Sequence, residues 1–445
     1  MNAERHYPDC TEIVPLNHPA NCTLTVPGSR SIANRALILG ALTEPGVVTE
    51  LRNVPDCDDV RTMVEALREL GFQLAEDPEQ ASIHVGRAAH SSSRIPARTA
   101  QLLLGDSGTC MRFLTAMVCL GRGEYELDGS PRLRQRPMGG LLDALRQFGV
   151  NIRSVNDDGF PPIQVHGGDS IFSEPKSTPW TPGKVHVEGR ESSQFLSALL
   201  MVAPLAQSSI ELQLDGPLVS EPYVRMTIDV MRSFGVLVGT DGSSFWVDAP
   251  STYDGGVYEI EPDATSAGYF FAAAAIDGGR ITILDLHRDR PQGDLRFVDL
   301  LQEMGCRVDW CDAGLTVHGR PLHGIDADMN DISDCVPTLA AVACFADGPT
   351  TIRNVAHIRR KESDRIAAVA SELRKIGAEV EEFPDGLQIT PRPLHGARID
   401  THNDHRIAMS MALIGLEVPG IIIENPGCVA KTYPAFWDDL DKLWN

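Results

Sequence analysis

The chain has 445 residues, 42% hydrophobic and 22% charged, a composition that excludes a disordered chain and gives a folded, water-soluble protein. Its length corresponds to two or three domains at roughly 100–200 residues each. The 39 basic residues stand against 61 acidic ones, and the net charge of −22 argues against nucleic acid and anionic membranes as main partners. A small anionic ligand then requires positive charge concentrated locally.

In chain order, two kinds of helix alternate. An Ala-rich, nearly all-apolar helix recurs as RALILGALTE (35–44), RFLTAMVCLG (112–121), QFLSALLMVAP (194–204), YFFAAAAIDGG (269–279), PTLAAVACFADG (337–348) and HRIAMSMALIGL (405–416). β-rich segments follow, among them GVVTELRNV, SIELQLDG, RITILDL, TTIRNV and GIIIEN. Between them an amphipathic helix ends in an apolar residue and a glycine: LRELGF (67–72), LRQFGV (145–150), MRSFGV (231–236), LQEMGC (301–306) and LRKIGA (373–378). In the first of these Val60, Met63, Val64, Leu67 and Leu70 share one face. Each glycine reads as a helix stop and the next residues as a strand. At the C-terminus, residues 436–444 stand where a sixth amphipathic helix belongs. Six copies in order, roughly 67–86 residues apart, make a repeated α/β unit too long for a solenoid turn, and three copies per domain fit the length.

The sequence has no GxxxxGK[ST] loop, no GxGxxG after a strand, no HExxH and no GxSxG. Two histidines at His402 and His405, without further clustered ligands, are a weak metal signal. The ten cysteines include no CxxC and read as small buried hydrophobes of a reducing compartment. The N-terminus lacks the apolar core of a signal peptide, and no apolar run approaches a transmembrane length, so a cytoplasmic protein is expected.

Short polar segments open the Ala-rich helices. Pro27-Gly28-Ser29-Arg30-Ser31, with Arg35 one turn on, combines exposed N–H groups with two cations. Gly105-Asp106-Ser107-Gly108-Thr109-Cys110-Met111-Arg112 is a Gly-flanked turn whose N–H groups could receive an anion, Glu191-Ser192-Ser193-Gln194 brings hydroxyls and an amide to a helix start, and Pro131-Arg132-Leu133-Arg134-Gln135-Arg136-Pro137 is a basic loop. Arg359-Arg360-Lys361-Glu362-Ser363-Asp364-Arg365 reads as a helix start, Lys361 and Arg365 falling on one face with Glu362 beside them. Asp334 precedes the fifth Ala-rich helix, Asp404-His405-Arg406 opens the sixth, and Lys431 follows a strand. Only six lysines stand beside 33 arginines, which makes Lys361 and Lys431 conspicuous (Lys176, Lys184, Lys375 and Lys442 are the others). Asp334 and Glu362 are the acid/base candidates, and the pattern suggests two or more anionic groups held between two domains.

These motifs, PGSRSIANRA, GDSGTCMR, PRLRQRPM, SSQFLSALLM, LVSEPYV, DATSAGYFFAAAAI, ISDCVPT, RRKESDR, DHRIAM and CVAKTYP, in order over essentially the whole chain, resemble the 5-enolpyruvylshikimate-3-phosphate synthases. The resemblance implies a two-domain inside-out α/β barrel of six βαβαββ units, three per domain, with residues 1–26 and 261–445 in one domain, 27–260 in the other and the active site in the cleft. It implies a monomer that transfers the enolpyruvyl group of phosphoenolpyruvate to the 5-hydroxyl of 3-phosphoshikimate, releasing phosphate, in aromatic amino acid biosynthesis, with no metal or organic cofactor. It assigns 3-phosphoshikimate to Arg30, Ser31, Arg35, Ser192, Ser193, Gln194, Ser220, Tyr223, Asp334, His357 and Lys361. Phosphoenolpyruvate falls to Arg30, Asp106, Gly108, Arg136, Gln194, Arg365, Arg406 and Lys431. Asp334 would take the hydroxyl proton and Glu362 would protonate the methylene carbon, with Lys361, Arg30 and His405 beside them.

Four positions depart from the family pattern. Arg30 stands for a Lys, Asp106 for an Asn, Phe113 for a Pro at a helix start, and His357 for an Asn. They leave turnover, phosphoenolpyruvate affinity and glyphosate sensitivity open. The competing readings are a homologue that binds 3-phosphoshikimate without turnover, and an enolpyruvyl transferase for a nucleotide sugar, which would use a loop Cys.

Overall fold

The computed structural model describes residues 5–168 and 184–444, so Lys176 lies outside the described residues. The chain divides into two compact units, one of Arg30–Pro55 and Asp59–Ile260, the other of Met1–Ser29, Asp56–Asp58 and Glu261–Asn445. Apart from the short excursion at Asp56–Asp58, it passes between them at residues 29–30 and 260–261, against the expected 27 and 261. Among the described residues no helix is long and apolar enough to cross a membrane.

In the first unit the helices are α1 (Arg30–Ala41), α2 (Asp58–Glu69), α3 (Gly108–Val118), α4 (Gly139–Gln147), α5 (Ser193–Val202) and α6 (Glu221–Ser233). In the second they are α7 (Ala264–Asp277), α8 (Phe297–Glu303), α9 (Val336–Ala343), α10 (Arg365–Lys375), α11 (His405–Ile414) and α12 (Phe436–Leu440). The odd-numbered helices from α1 to α11 are the Ala-rich ones and are buried nearly all round. That burial is what their uniform apolarity requires. The even-numbered helices are one-faced, and the expected face of α2 is buried at Val60, Met63, Val64, Leu67 and Leu70.

Each unit carries three sheets, and five of the six share one plan: a parallel pair followed by two antiparallel neighbours. Thr99–Leu103 runs parallel to Glu124–Asp128, which pairs with Ile163–His166, which pairs with Asn151–Ser154. In three of these five sheets an Ala-rich helix makes the crossover between the parallel strands, as α3 does here, whereas Val48–Arg52 pairs with Val257–Glu259 and Asn21–Leu24 with Arg280–Leu284 across long stretches of chain. In all five an amphipathic helix leads to the antiparallel hairpin. The stops after the amphipathic helices are the five expected glycines, all left-handed, with φ of +87° at Gly71, +76° at Gly149, +83° at Gly235, +117° at Gly305 and +98° at Gly377. The sixth sheet has only three strands, Cys10–Ile13, Ile421–Glu424 and Arg398–Ile399, and the short α12 replaces the full amphipathic helix.

The cysteine expectation needs correction. Six of the ten are buried, but Cys10, Cys22 and Cys428 are half-buried and Cys311, at the end of the strand Arg307–Cys311, is exposed. That strand lies at the edge of its sheet and none of its positions is fully buried.

Candidate functional site

In the first unit the predicted residues gather at helix starts. Arg30 opens α1, and its guanidinium donates to the carboxylate of Asp59 on α2 at 2.7 Å, a nearly buried pair. Arg35, one turn on, is 2% exposed. Its guanidinium donates to Thr227 Oγ1 at 2.7 Å and to the carbonyls of Ser31 at 2.7 Å and Tyr223 at 3.1 Å. The ring of Phe113 lies 5.0 Å from its Cζ, so the aromatic face meets the cation. Among the described residues no carboxylate pairs with Arg35. Burial pushes its pKa down to about 10, only partly offset by Tyr223.

Phe113 is an interior residue of α3 rather than one at its start. The helix starts earlier because Ser107 caps it, its hydroxyl accepting from the Cys110 N–H. Gly108 opens α3, and its missing side chain makes room for guanidinium groups. An added Cβ would lie 2.5 Å from Nη1 of Arg112 and 2.5 Å from Cζ of Arg136. Arg112, buried, donates to the carbonyls of Gly108 at 3.1 Å and Pro137 at 3.0 Å, and Arg136 is also buried. Asp106 accepts a hydrogen bond from Ser130.

Ser192 caps α5, its hydroxyl accepting from the Gln194 N–H, and Ser193 is buried. The Gln194 amide donates to Thr109 Oγ1 at 3.0 Å, which joins the first turns of α5 and α3. Ser220 precedes α6 with φ +52°, and Tyr223 lies in its first turn. Cys110 is buried within α3 and Cys119 is buried at its C-cap, where burial raises the Cys119 thiol well above its ordinary range. Neither is the loop thiol that the nucleotide-sugar reading requires.

In the second unit the charges are interlocked. The helical reading of 361–365 is wrong. Ala356–Arg360 forms a 3-10 turn, Lys361 is extended (φ −89°, ψ −150°), and α10 begins only at Arg365. The cause is local competition: the Asp364 side chain accepts from the Ala367 N–H and fixes the cap there, leaving Lys361 and Glu362 outside the helix. Arg365 reaches three carboxylates: Asp334 Oδ1 at 2.9 Å, Glu362 Oε2 at 2.9 Å and Asp404 Oδ2 at 2.8 Å. Burial alone would lower its pKa, but Asp404, Glu362 and Asp334 overcome it and hold the group above its ordinary value. Arg406 takes the other oxygen of Asp334 at 2.7 Å, and Lys361 Nζ lies 3.6 Å from Oδ1. Asp404 caps α11 through the Arg406 N–H and also accepts from Ser363 at 2.9 Å.

His405 is buried, its Nδ1 3.5 Å from Asp404. His357 lies on the 3-10 turn, and burial, reinforced by Lys361, pushes its pKa down to about 4. Lys431, half-buried, ends the 3-10 turn Pro426–Lys431. Among the described residues no group of histidine, cysteine and carboxylate side chains is arranged to hold a metal ion.

Sequence reasoning assigned no role to Asp59, Arg112, Thr227, Ser363 or Asp404. Arg112, Ser363 and Asp404 lie inside the matching motifs, where burial potential was the missing signal. Asp59 and Thr227 are remote in sequence from the arginines they meet.

The comparisons with known proteins agree over the whole length. The family model of EPSP synthase (3-phosphoshikimate 1-carboxyvinyltransferase) matches residues 16–440. The 3-phosphoshikimate 1-carboxyvinyltransferase of Nostoc punctiforme is 44% identical, covering 96% of this chain and 98% of its own. That of Aeromonas salmonicida is 43% identical over 94% and 96%. Among solved structures, EPSP synthase of Acinetobacter baumannii aligns with a TM-score of 0.78 and 26% identity over 97% of both chains. An enolpyruvyl transferase of Streptomyces tendae shares the fold, with a TM-score of 0.76 and 21% identity over 98% of this chain and 97% of its own. The chain belongs to the EPSP synthase family, the 3-phosphoshikimate 1-carboxyvinyltransferases.

Proposed function

We propose that the chain transfers the enolpyruvyl group of phosphoenolpyruvate to the 5-hydroxyl of 3-phosphoshikimate, and that both constellations serve this one reaction. The observation that carries the reading is Asp334, a nearly buried carboxylate gripped by Arg365 and Arg406 and approached by Lys361. A base surrounded by fixed cations suits a reaction whose substrates and tetrahedral intermediate are anionic.

Asp334 takes the proton of the 5-hydroxyl as its oxygen attacks C2 of phosphoenolpyruvate. Glu362 delivers a proton to C3, giving an intermediate that carries both phosphate and carboxylate. Arg365, Arg406, Lys431, Arg30 and Arg136 stabilise those charges. Loss of a C3 proton and departure of phosphate give the enolpyruvyl ether. Arg35, Ser31, Ser192, Ser193, Gln194, Ser220, Tyr223 and His357 hold 3-phosphoshikimate. Asp106 and Gly108 border the phosphoenolpyruvate side, where Gly108 keeps space for Arg136. The protein works as a monomer in the cytoplasm.

Phosphate release from purified protein supplied with both substrates tests this. Release that requires both is expected. Thermal stabilisation by 3-phosphoshikimate with no release above background would leave a binding homologue and end the catalytic reading.

A further inference from the structure

Glu372 lies on α10 seven residues after Arg365, and seven residues return a helix almost to the same face, about 10 Å further along the axis. Both side chains reach the loop that leads into α11. Arg365 holds its end at Asp404. Glu372, fully buried, holds its start: Oε2 accepts the Asp400 N–H at 3.0 Å, and Oε1 lies 2.9 Å from His402 Nε2. Lys375 supplies a further ion pair at 2.7 Å. Between the two anchors His402 and Asn403 are both left-handed, with φ of +50° and +52°. Consecutive non-glycine residues there are strained and persist only when the surroundings hold them.

We infer that Glu372 and His402 form a positioning pair: by pinning the loop in its strained form from α10, they set the Asp404 cap and so the place of Arg406 at the start of α11. The acidic and basic groups facing the pair are Lys375 on α10 and Asp400 on the loop, whose Oδ2 lies 4.0 Å from His402 Nδ1. The consequence for substrate rests on the proposed reading, in which Arg406 holds phosphoenolpyruvate.

Two substitutions separate the hydrogen bond from the backbone strain. His402→Asn accepts a left-handed backbone but is too short to reach Glu372, whereas His402→Gln restores a donor at that reach. For His402→Asn we expect amide exchange in the first turn of α11 to quicken about tenfold or more. The KM for phosphoenolpyruvate should rise about fivefold with that for 3-phosphoshikimate held within about twofold. His402→Gln should return both toward wild type. Unchanged exchange, or quickened exchange with both KM values unmoved or raised equally, overturns the inference. An inactive wild type would strike the proposed reaction alone, because the exchange measurement still judges the pair.

Discussion

Arg365 and Arg35 are the largest fully buried cationic side chains, one in each unit, and their surroundings are opposite. Arg365 is met by three carboxylates, so its cluster is largely neutralised without a ligand. Arg35 is met by a hydroxyl, two carbonyls and an aromatic face. Neutral dipoles satisfy its N–H groups without cancelling its charge, so an anion has more to gain there. Positive charge is prepared in two ways: one a framework that fixes Asp334, the other a charge left uncancelled, which on the proposed reading 3-phosphoshikimate would meet.

Removing each arginine should break that comparison most visibly. Arg365→Met leaves Asp404, fully buried, with its principal cation gone, and loss of one partner of a buried pair costs about 3–5 kcal/mol. Arg35→Met removes an uncompensated buried charge and should change stability by no more than about 1 kcal/mol. It should instead weaken 3-phosphoshikimate about ten- to a hundredfold, or about 1.4–2.8 kcal/mol. Urea denaturation and calorimetric binding read the two effects. Equal destabilisation by both substitutions would erase the distinction.

The framework side makes a pH prediction. His357 carries no proton until about pH 4 in the folded protein, because burial and then Lys361 oppose its charge, while the unfolded chain binds one near 6.5. Stability is therefore unaffected above about pH 6.5 and falls as pH drops towards 4, by about 2 kcal/mol at pH 5. His357→Asn should recover most of that at pH 5 and nothing at pH 8, in urea titrations at the two values. Identical pH dependence in the two proteins would show that His357 is not the group responsible.

What the sequence made legible follows from how local each signal is. The Ala-rich helices and the stops at Gly71, Gly149, Gly235, Gly305 and Gly377 are determined within a few residues, and they placed all six Ala-rich helices and five amphipathic ones correctly. The departure at 361–364 is also local, but there a capping side chain at Asp364 outcompeted helix spacing, and spacing alone does not rank the two. The pairing of Arg365 with Asp334 and Asp404 spans 31 and 39 residues and depends on packing, as does the seating of Arg35 against Phe113. Residue types at these positions were readable; the neutralised state of one cation and the bare charge of the other were not.

The smallest expected effect tests the seating of Arg35 most directly. Phe113 lies inside α3, so the Pro of the family pattern would remove a helix bond and confound the measurement. Phe113→Leu keeps an apolar side chain that the helix accepts and removes only the aromatic face. A cation–π contact of this kind is worth about 0.5–2 kcal/mol, the upper end applying to desolvated cations. If the ring steadies the guanidinium, Phe113→Leu should weaken 3-phosphoshikimate about three- to tenfold, and in Arg35→Met the same change should cost nothing further. Additive losses in the double variant would mean that Phe113 acts by filling α3's surroundings, independently of the cation. The coupling term, not either single loss, decides whether Phe113 is part of the seat of Arg35.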